Sequence, residues 1–196
     1  MSVRSLTLAD LAAPRAGVLS NLTLVVGASL VTALAAQIAF PVPWTPVPIT
    51  GQTFAVLLSG AVLGARRAFI AQLLYLAEGA LGLPVFAQAG SGIAKLLGPT
   101  GGYLLAFPFG AWITGALAER GWDRRFGSMF AAMLLASAVI FALGLFFLAR
   151  FVPSDRLLAA GLLPFVPGDL IKTTLAALAF PAVWRRLRTR EGLPGA

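Results

Sequence analysis

The chain reads as an all-α integral membrane bundle of six transmembrane helices, and three observations carry that expectation. Of 196 residues, 59% are hydrophobic and 11% charged, against about 25% charge in a soluble domain, and mean hydropathy is +0.89. Apolar runs recur at lengths near the roughly 20 residues that cross a bilayer, which fits six spans in a single domain over residues 1–196. The basic residues fall mostly between those runs rather than within them.

Met1 to Gly17 is polar and mixed, and Val18 to Phe40 then runs without a charge as the first helix. Ala33-Leu34-Ala35 resembles a signal-peptide cleavage site, but losing this helix would strip one wall from an equally apolar bundle. Ala28, Thr32 and Ala36 recur at every fourth position and Ala35 pairs with Ala39, a small-residue face suited to close helix contact within the chain or with another subunit. Four prolines between Pro41 and Pro48 forbid a helix and favour a stiff, extended segment. It reads either as a lid with Trp44 as its aromatic face or as a connector with an interfacial Trp44.

Gly51 to Gly64 forms the second helix, short for a span, with Gln52 and Thr53 at its start. Ala68 to Leu81 forms the third, with Gln72 and Glu78 as its polar residues; Glu78, near the end, reads as snorkelling or paired. The stretch from Val85 to Tyr103 is too apolar for a solvated loop and too rich in glycine for a plain helix. Irregular backbone at membrane depth is tolerated where it is buried in protein or lines a cavity, so this stretch and the proline loop are natural pocket walls. Tyr103 to Ala118 and Ser128 to Ala149 are the fourth and fifth helices, separated by a charged turn containing Trp122. The sixth begins in Pro164-Phe165-Val166-Pro167-Gly168-Asp169-Leu170-Ile171-Lys172 and ends at Trp184-Arg185-Arg186. Asp169 and Lys172 stand at i and i+3, on one helix face. An ionisable side chain in a span costs about 2.5 to 3.5 kcal/mol on insertion scales, which marks a functional pair or a self-neutralising structural one.

Basic residues give the orientation. Arg4, Arg15, Arg66, Arg67, Arg120, Arg124, Arg125, Arg185, Arg186, Arg188 and Arg190, 11 of the 15, share one side, which the positive-inside rule makes cytoplasmic along with both termini. Lys95, Arg150, Arg156 and Lys172 take the other. The proline loop, the glycine-rich stretch and the Asp169–Lys172 pair therefore converge outside, and re-entrant or irregular loops line an outward-facing ligand pocket.

Much chemistry is excluded. No cysteine or histidine is present, which removes disulfides, thiol nucleophiles, histidine bases and the usual zinc or copper ligands. The segment Gly98-Pro99-Thr100-Gly101-Gly102 lacks the spacing and the Lys-Ser/Thr of a phosphate cradle. The net charge of +8 has no basic stripe interleaved with aromatics, so nucleic acid is not an expected partner. No catalytic set, metal site or cofactor is expected. A small gradient-driven transporter would show matched broken helices in two halves, which are not evident, and a membrane enzyme would have only Asp169 as a base.

Four motifs then carry a resemblance: Pro46-Val47-Pro48-Ile49-Thr50-Gly51-Gln52-Thr53, Gly82-Leu83-Pro84-Val85-Phe86, Leu97-Gly98-Pro99-Thr100-Gly101-Gly102-Tyr103-Leu104, and the Pro164–Lys172 stretch. The chain resembles the BioY family, the biotin-specific substrate-capture (S) components of energy-coupling factor (ECF) transporters, over nearly its whole length. The resemblance implies a substrate-binding domain in the cell (inner) membrane that takes biotin from outside. Its partners would be a transmembrane coupling subunit and two cytoplasmic ATPases, with Ala28, Thr32, Ala35, Ala36 and Ala39 as the docking face. Asp169 and Lys172 would meet biotin: a ureido group offers two N–H donors and one carbonyl, matching an acid and an amine within one turn, while the ligand's carboxylate is an alternative partner for Lys172. Gln52, Gln88, Ser91 and Tyr103 are candidates for further polar contacts, and Trp44 and Phe86 for covering the apolar parts. Glu78 and Lys95 match no part of the family pattern.

Overall fold

A computed structural model describes residues 6–12 and 17–191. Arg4, Arg15 and Ala196 lie outside the described residues, as do the side chains of Arg188 and Arg190. The chain is mostly helical. In order it forms α1 (Leu8–Ala12), α2 (Val18–Gln37), a two-stranded pairing of β1 (Ala39–Phe40) with β2 (Ile49–Thr50), α3 (Gln52–Leu63), α4 (Ala65–Ala80), α5 (Ile93–Leu97), α6 (Gly101–Ala118), α7 (Phe126–Leu148), α8 (Leu157–Gly161) and α9 (Val166–Glu191).

Among the described residues four helices are long and apolar enough to cross a membrane: Val18–Gln37, Gly101–Ala118, Phe126–Leu148 and the Val166–Leu187 part of α9. The expectation of six spans is met only in part, because α3 has 12 residues and α4 has 16, below the roughly 20 a span needs. The first helix also stops three residues early. Ile38 leaves helical geometry, and Ala39 and Phe40 pair antiparallel with Thr50 and Ile49. The proline loop is thereby pinched at its base, a strand-like closure that no periodicity in so short a segment could announce.

Helix α6 is the hub, packed against α3, α4 and α7, while α9 lies on α7 and α2 on α4. Small residues permit that crowding. A Cβ at Gly115 of α6 would lie 2.5 Å from the Ala65 nitrogen and the Gly64 carbonyl carbon, so α6 touches the α3–α4 junction backbone to backbone. Gly64 makes the junction itself, with φ +82°, a region that costs an L side chain energy and glycine little. The Glu119 carboxylate after α6 accepts the Ala65 N–H at 2.9 Å and so caps the start of α4.

The arginine-rich end is tied in the same manner. Arg67 bonds Asp10 at 2.7 Å and Asn21 at 2.8 Å, joining α4 to α1 and α2. Burial pushes the Asp10 carboxyl up, but the Thr7 amide and hydroxyl and the Arg67 guanidinium outweigh it and hold the group below its ordinary range. After α6, the buried Asp123 accepts the Trp184 indole N–H, and Arg124 covers the Trp184 ring at 4.7 Å, fastening the end of α9. Overpacking a tight helix crossing typically costs about 1–3 kcal/mol. Gly115→Ala is therefore expected to lower the unfolding free energy by about that amount, read as a lower thermal midpoint in detergent.

Candidate ligand-binding site

A cavity of about 140 Å³ opens at the end of the bundle opposite Arg66 and Arg67. Its wall combines the proline loop and the start of α3 (Pro46, Thr50, Gln52), the glycine-rich stretch (Phe86, Gln88, Lys95), α6 (Tyr103, Phe107) and the start of α9 (Phe165, Asp169, Lys172). The three elements that the sequence assigns to a pocket are thus assembled around one space.

Asp169 is buried in the first turns of α9, where its carboxylate accepts the Ser137 hydroxyl of α7 at 3.0 Å. The Lys172 ammonium donates to the Thr50 carbonyl at 2.8 Å, bridging α9 to the strand that closes the proline loop. Each charge thus has a hydrogen-bond partner on another element. Among the described residues the two make no direct ion pair, but they lie close enough to act electrostatically on each other. An acid and an amine fixed side by side, with lone pairs and N–H groups to spare, can take a ligand that both donates and accepts.

Gln52 is oriented just as firmly. Its side-chain N–H donates to the Tyr75 hydroxyl at 2.6 Å and its oxygen accepts the Thr50 hydroxyl at 3.0 Å. Tyr75 in turn donates to the Val85 carbonyl at 3.1 Å, and its ring meets Phe86 edge-on with centroids 5.5 Å apart. Phe86 is buried over Gly79, where any side chain would collide with its ring. Tyr103 points its hydroxyl at the Gly161 carbonyl, 2.6 Å away, which leaves its ring for the cavity wall beside Phe165.

Gln88 reaches the wall by a strained route. Gln88 and Ala89 sit at φ 60° and 53°, left-handed conformations that typically cost about 1–3 kcal/mol each for non-glycine residues. The turn is closed by Phe86 N–H to the Gly90 carbonyl at 3.0 Å, and Gly92 N–H returns to the Gly79 carbonyl at 2.7 Å.

Two expected residues are placed elsewhere. Trp44 is 70% exposed and does not line the cavity; Val47, 6% exposed, packs into the core while Pro46 and Pro48 reach the cavity, and the Thr45 hydroxyl fastens the loop to the Ala160 carbonyl at 2.7 Å. Ser91 is exposed because the chain after the turn runs back along the end of α4. On the small-residue face of α2, two of the five residues take the internal alternative. Thr32 and Ala36 are fully buried, with Thr32 accepting from Gln72 at 3.1 Å, so they serve packing inside the chain; Ala28, Ala35 and Ala39 are half-buried. Glu78 is paired as expected, accepting a hydrogen bond from Ser29 of α2.

Sequence reasoning left Lys95 without a role, yet its side chain lies across Gly90 and its residue borders the cavity. Ser137 and Phe141 of α7 were passed over as well, since nothing in an unbroken apolar span distinguishes a residue that touches Asp169 or the cavity.

A multi-pass helical membrane protein with a solute-sized cavity at one end of the bundle, apolar over most of its wall and set with a few polar and charged groups, is the class that this fold and site define. Residues 5–189 match the model of the BioY family, and the chain belongs to that family. It is 42% identical over 147 residues to the probable biotin transporter BioY of Pyrococcus horikoshii, covering 75% of this chain and 85% of that one. It is 44% identical over 138 residues to the biotin transporter BioY of Thermotoga maritima, covering 70% and 80%. A solved structure, the S-component for biotin from an ECF-type ABC transporter, aligns with TM-score 0.73 at 25% identity over 85% of this chain and 92% of that chain.

Removing a partner from a buried acceptor typically costs about 1–3 kcal/mol. Ser137→Ala is therefore expected to destabilise the ligand-free protein by about that amount, measured by thermal unfolding, because the Asp169 carboxylate loses its hydroxyl.

Proposed function

We propose that this chain captures biotin outside the cell and passes it inward as the substrate-specific component of an ECF-type transporter. The observation that carries the proposal is the joint placement of Asp169, Lys172, Gln52 and Lys95 around one cavity with aromatic walls, in a chain of the BioY family. Biotin has three parts to satisfy. Its ureido head presents two N–H donors and a carbonyl, which suit the Asp169 carboxylate and the Lys172 ammonium. Its fused rings and valeryl chain are apolar, which suits Phe86, Tyr103, Phe107 and Phe165. Its carboxylate wants a cation, and Lys95, on a different wall from Lys172, supplies one.

The rest of the proposal follows from charge and surface. With the arginine-rich end cytoplasmic, six membrane-embedded helices, α2, α3, α4, α6, α7 and α9, place the cavity toward the outside and both termini within, in the cell (inner) membrane. Residues 1–196 act as one substrate-binding domain, with no chemistry of its own and no cofactor, biotin being cargo. The energy comes from partners: a transmembrane coupling subunit and two cytoplasmic ATPases. Since Thr32 and Ala36 are buried, docking falls on the neighbouring exposed side of α2, where Val31, Leu34 and Ile38 flank the half-buried Ala35.

Calorimetry on the purified chain tests the proposal. Hydrogen bonds to charged groups contribute about 1.5–3 kcal/mol, so Asp169→Asn should weaken biotin binding about tenfold to a hundredfold. Absence of binding to the unaltered chain would reject the function, and unchanged affinity in both Asp169→Asn and Lys172→Ala would reject the site. Biotin methyl ester locates the carboxylate. A loss on esterification that vanishes in Lys95→Ala assigns it to Lys95, and one that vanishes in Lys172→Ala moves it there. In proteoliposomes without the ATPases, the chain should show no ATP hydrolysis, because it lacks a phosphate-binding loop; activity surviving their removal would overturn the division of labour.

A further inference from the structure

Gln37 ends α2 and does not itself line the cavity, yet its amide grips the strained turn that does. Its N–H group donates to the Phe86 carbonyl at 3.2 Å, and its oxygen accepts the Ala89 N–H at 3.0 Å. The Phe86 carbonyl precedes the left-handed region, and the Ala89 N–H lies within it, between Gln88 and Ala89. Left-handed geometry crowds the Cβ of both residues, so the chain would relax toward other conformations unless something outside the turn held it. The ties within the turn, Phe86 N–H to Gly90 and Gly90 N–H to Ala87 at 3.2 Å, leave the Phe86 carbonyl and the Ala89 N–H unanswered. A primary amide, planar and carrying a donor beside an acceptor, meets both at once. The Gln37 amide also donates to the Ala33 carbonyl of its own helix at 3.1 Å, which anchors the grip to α2.

We infer that Gln37 is a positioning residue for ligand binding: by holding the Phe86–Ala89 turn in its left-handed form, it keeps Phe86 and Gln88 on the cavity wall and links the shape of that wall to α2. The ligand is biotin on the reading proposed above. Gln37 is exposed and fills no core space, so its loss opens no cavity in the packing and its effect is confined to the turn.

The test uses the full chain in detergent, as the unaltered protein, Gln37→Met, and Gln37→Met combined with Ala89→Gly. Methionine keeps the length and apolar stem of glutamine and removes its hydrogen bonds to the turn. Losing those partly exposed bonds is expected to weaken biotin binding roughly tenfold in Gln37→Met. Amide hydrogen exchange across residues 85–92 in the ligand-free protein should quicken in the same variant. Glycine at position 89 accepts the left-handed conformation without help, so the double variant should recover most of the lost affinity, a rescue that a general packing role for Gln37 would not show. Unchanged affinity in Gln37→Met, unchanged exchange, or a loss that Ala89→Gly does not repair would each overturn the inference. If the unaltered chain takes no biotin, the transport reading fails instead, and the exchange measurement alone still decides whether Gln37 holds the turn.

Discussion

Carbonyl and N–H groups outside regular structure must find partners before they can sit near a bilayer, and the cavity end of this chain is organised by that demand. The segments between helices are irregular there, and side chains from elsewhere answer them. Thr45 bonds the Ala160 carbonyl, Tyr103 the Gly161 carbonyl, Lys172 the Thr50 carbonyl, Tyr75 the Val85 carbonyl and Gln37 the Phe86 carbonyl. All but the Tyr75 bond, which spans 10 residues, join segments 49 or more residues apart. Two of these residues, Tyr103 and Lys172, also line the cavity, so there the same side chains satisfy irregular backbone and form the site. At the arginine-rich end the connections are short turns, and salt bridges and caps suffice.

The same economy prepares the cavity for its ligand. Asp169 and Lys172 are already aimed by Ser137 and Thr50, and Gln52 by Tyr75 and Thr50. Side chains fixed before binding have little rotamer freedom left to lose when the ligand arrives, and that saving appears as affinity. The cavity also carries a charge preference. Two amines, Lys95 and Lys172, face one carboxylate, Asp169, an imbalance that suits a ligand with one negative charge.

What the sequence disclosed and what it withheld divide by the range of the interactions. Apolar run length located α6, α7 and α9 to within a few residues, and composition alone marked the proline and glycine-rich stretches as cavity walls. The i, i+3 spacing found Asp169 and Lys172 because their relation is local. Ser137 and Asp169, Lys172 and Thr50, and Gln37 and Phe86 meet across 32, 122 and 49 residues, and no spacing rule reaches that far. The alternation of small residues on α2 was legible but not its direction. Small-xxx-small describes a smooth helix face, whether it meets α4 of the same chain or a second protein, and Thr32 and Ala36 turned out to meet the former. Trp44 was ambiguous for a related reason: an aromatic on a stiff loop suits a lipid interface and a ligand equally, and only the anchoring of Thr45 and the inward turn of Val47 decide between them.

The placement of α2 gives these details a common mechanical sense. Most of α6 is buried, whereas 22% of α2 is buried and the rest is half-buried or exposed, so α2 lies at the margin of the packing around the hub. Its inner face is nevertheless polar for a lipid-embedded helix: Ser29 reaches Glu78, Thr32 meets Gln72, and Gln37 holds the turn. Polar contacts between helices in lipid are worth only about 0.6 kcal/mol each on average. Together with the Arg67–Asn21 bond and the buried Val25 and Ala33, these contacts fix the inner face of α2, so the shape of the cavity wall depends on where that helix lies. The Gln37 contact lies at the end of the helix and at its surface. On the reading proposed above, a coupling subunit docked on the outer face of α2 would therefore reach the strained turn through the helix that already holds it.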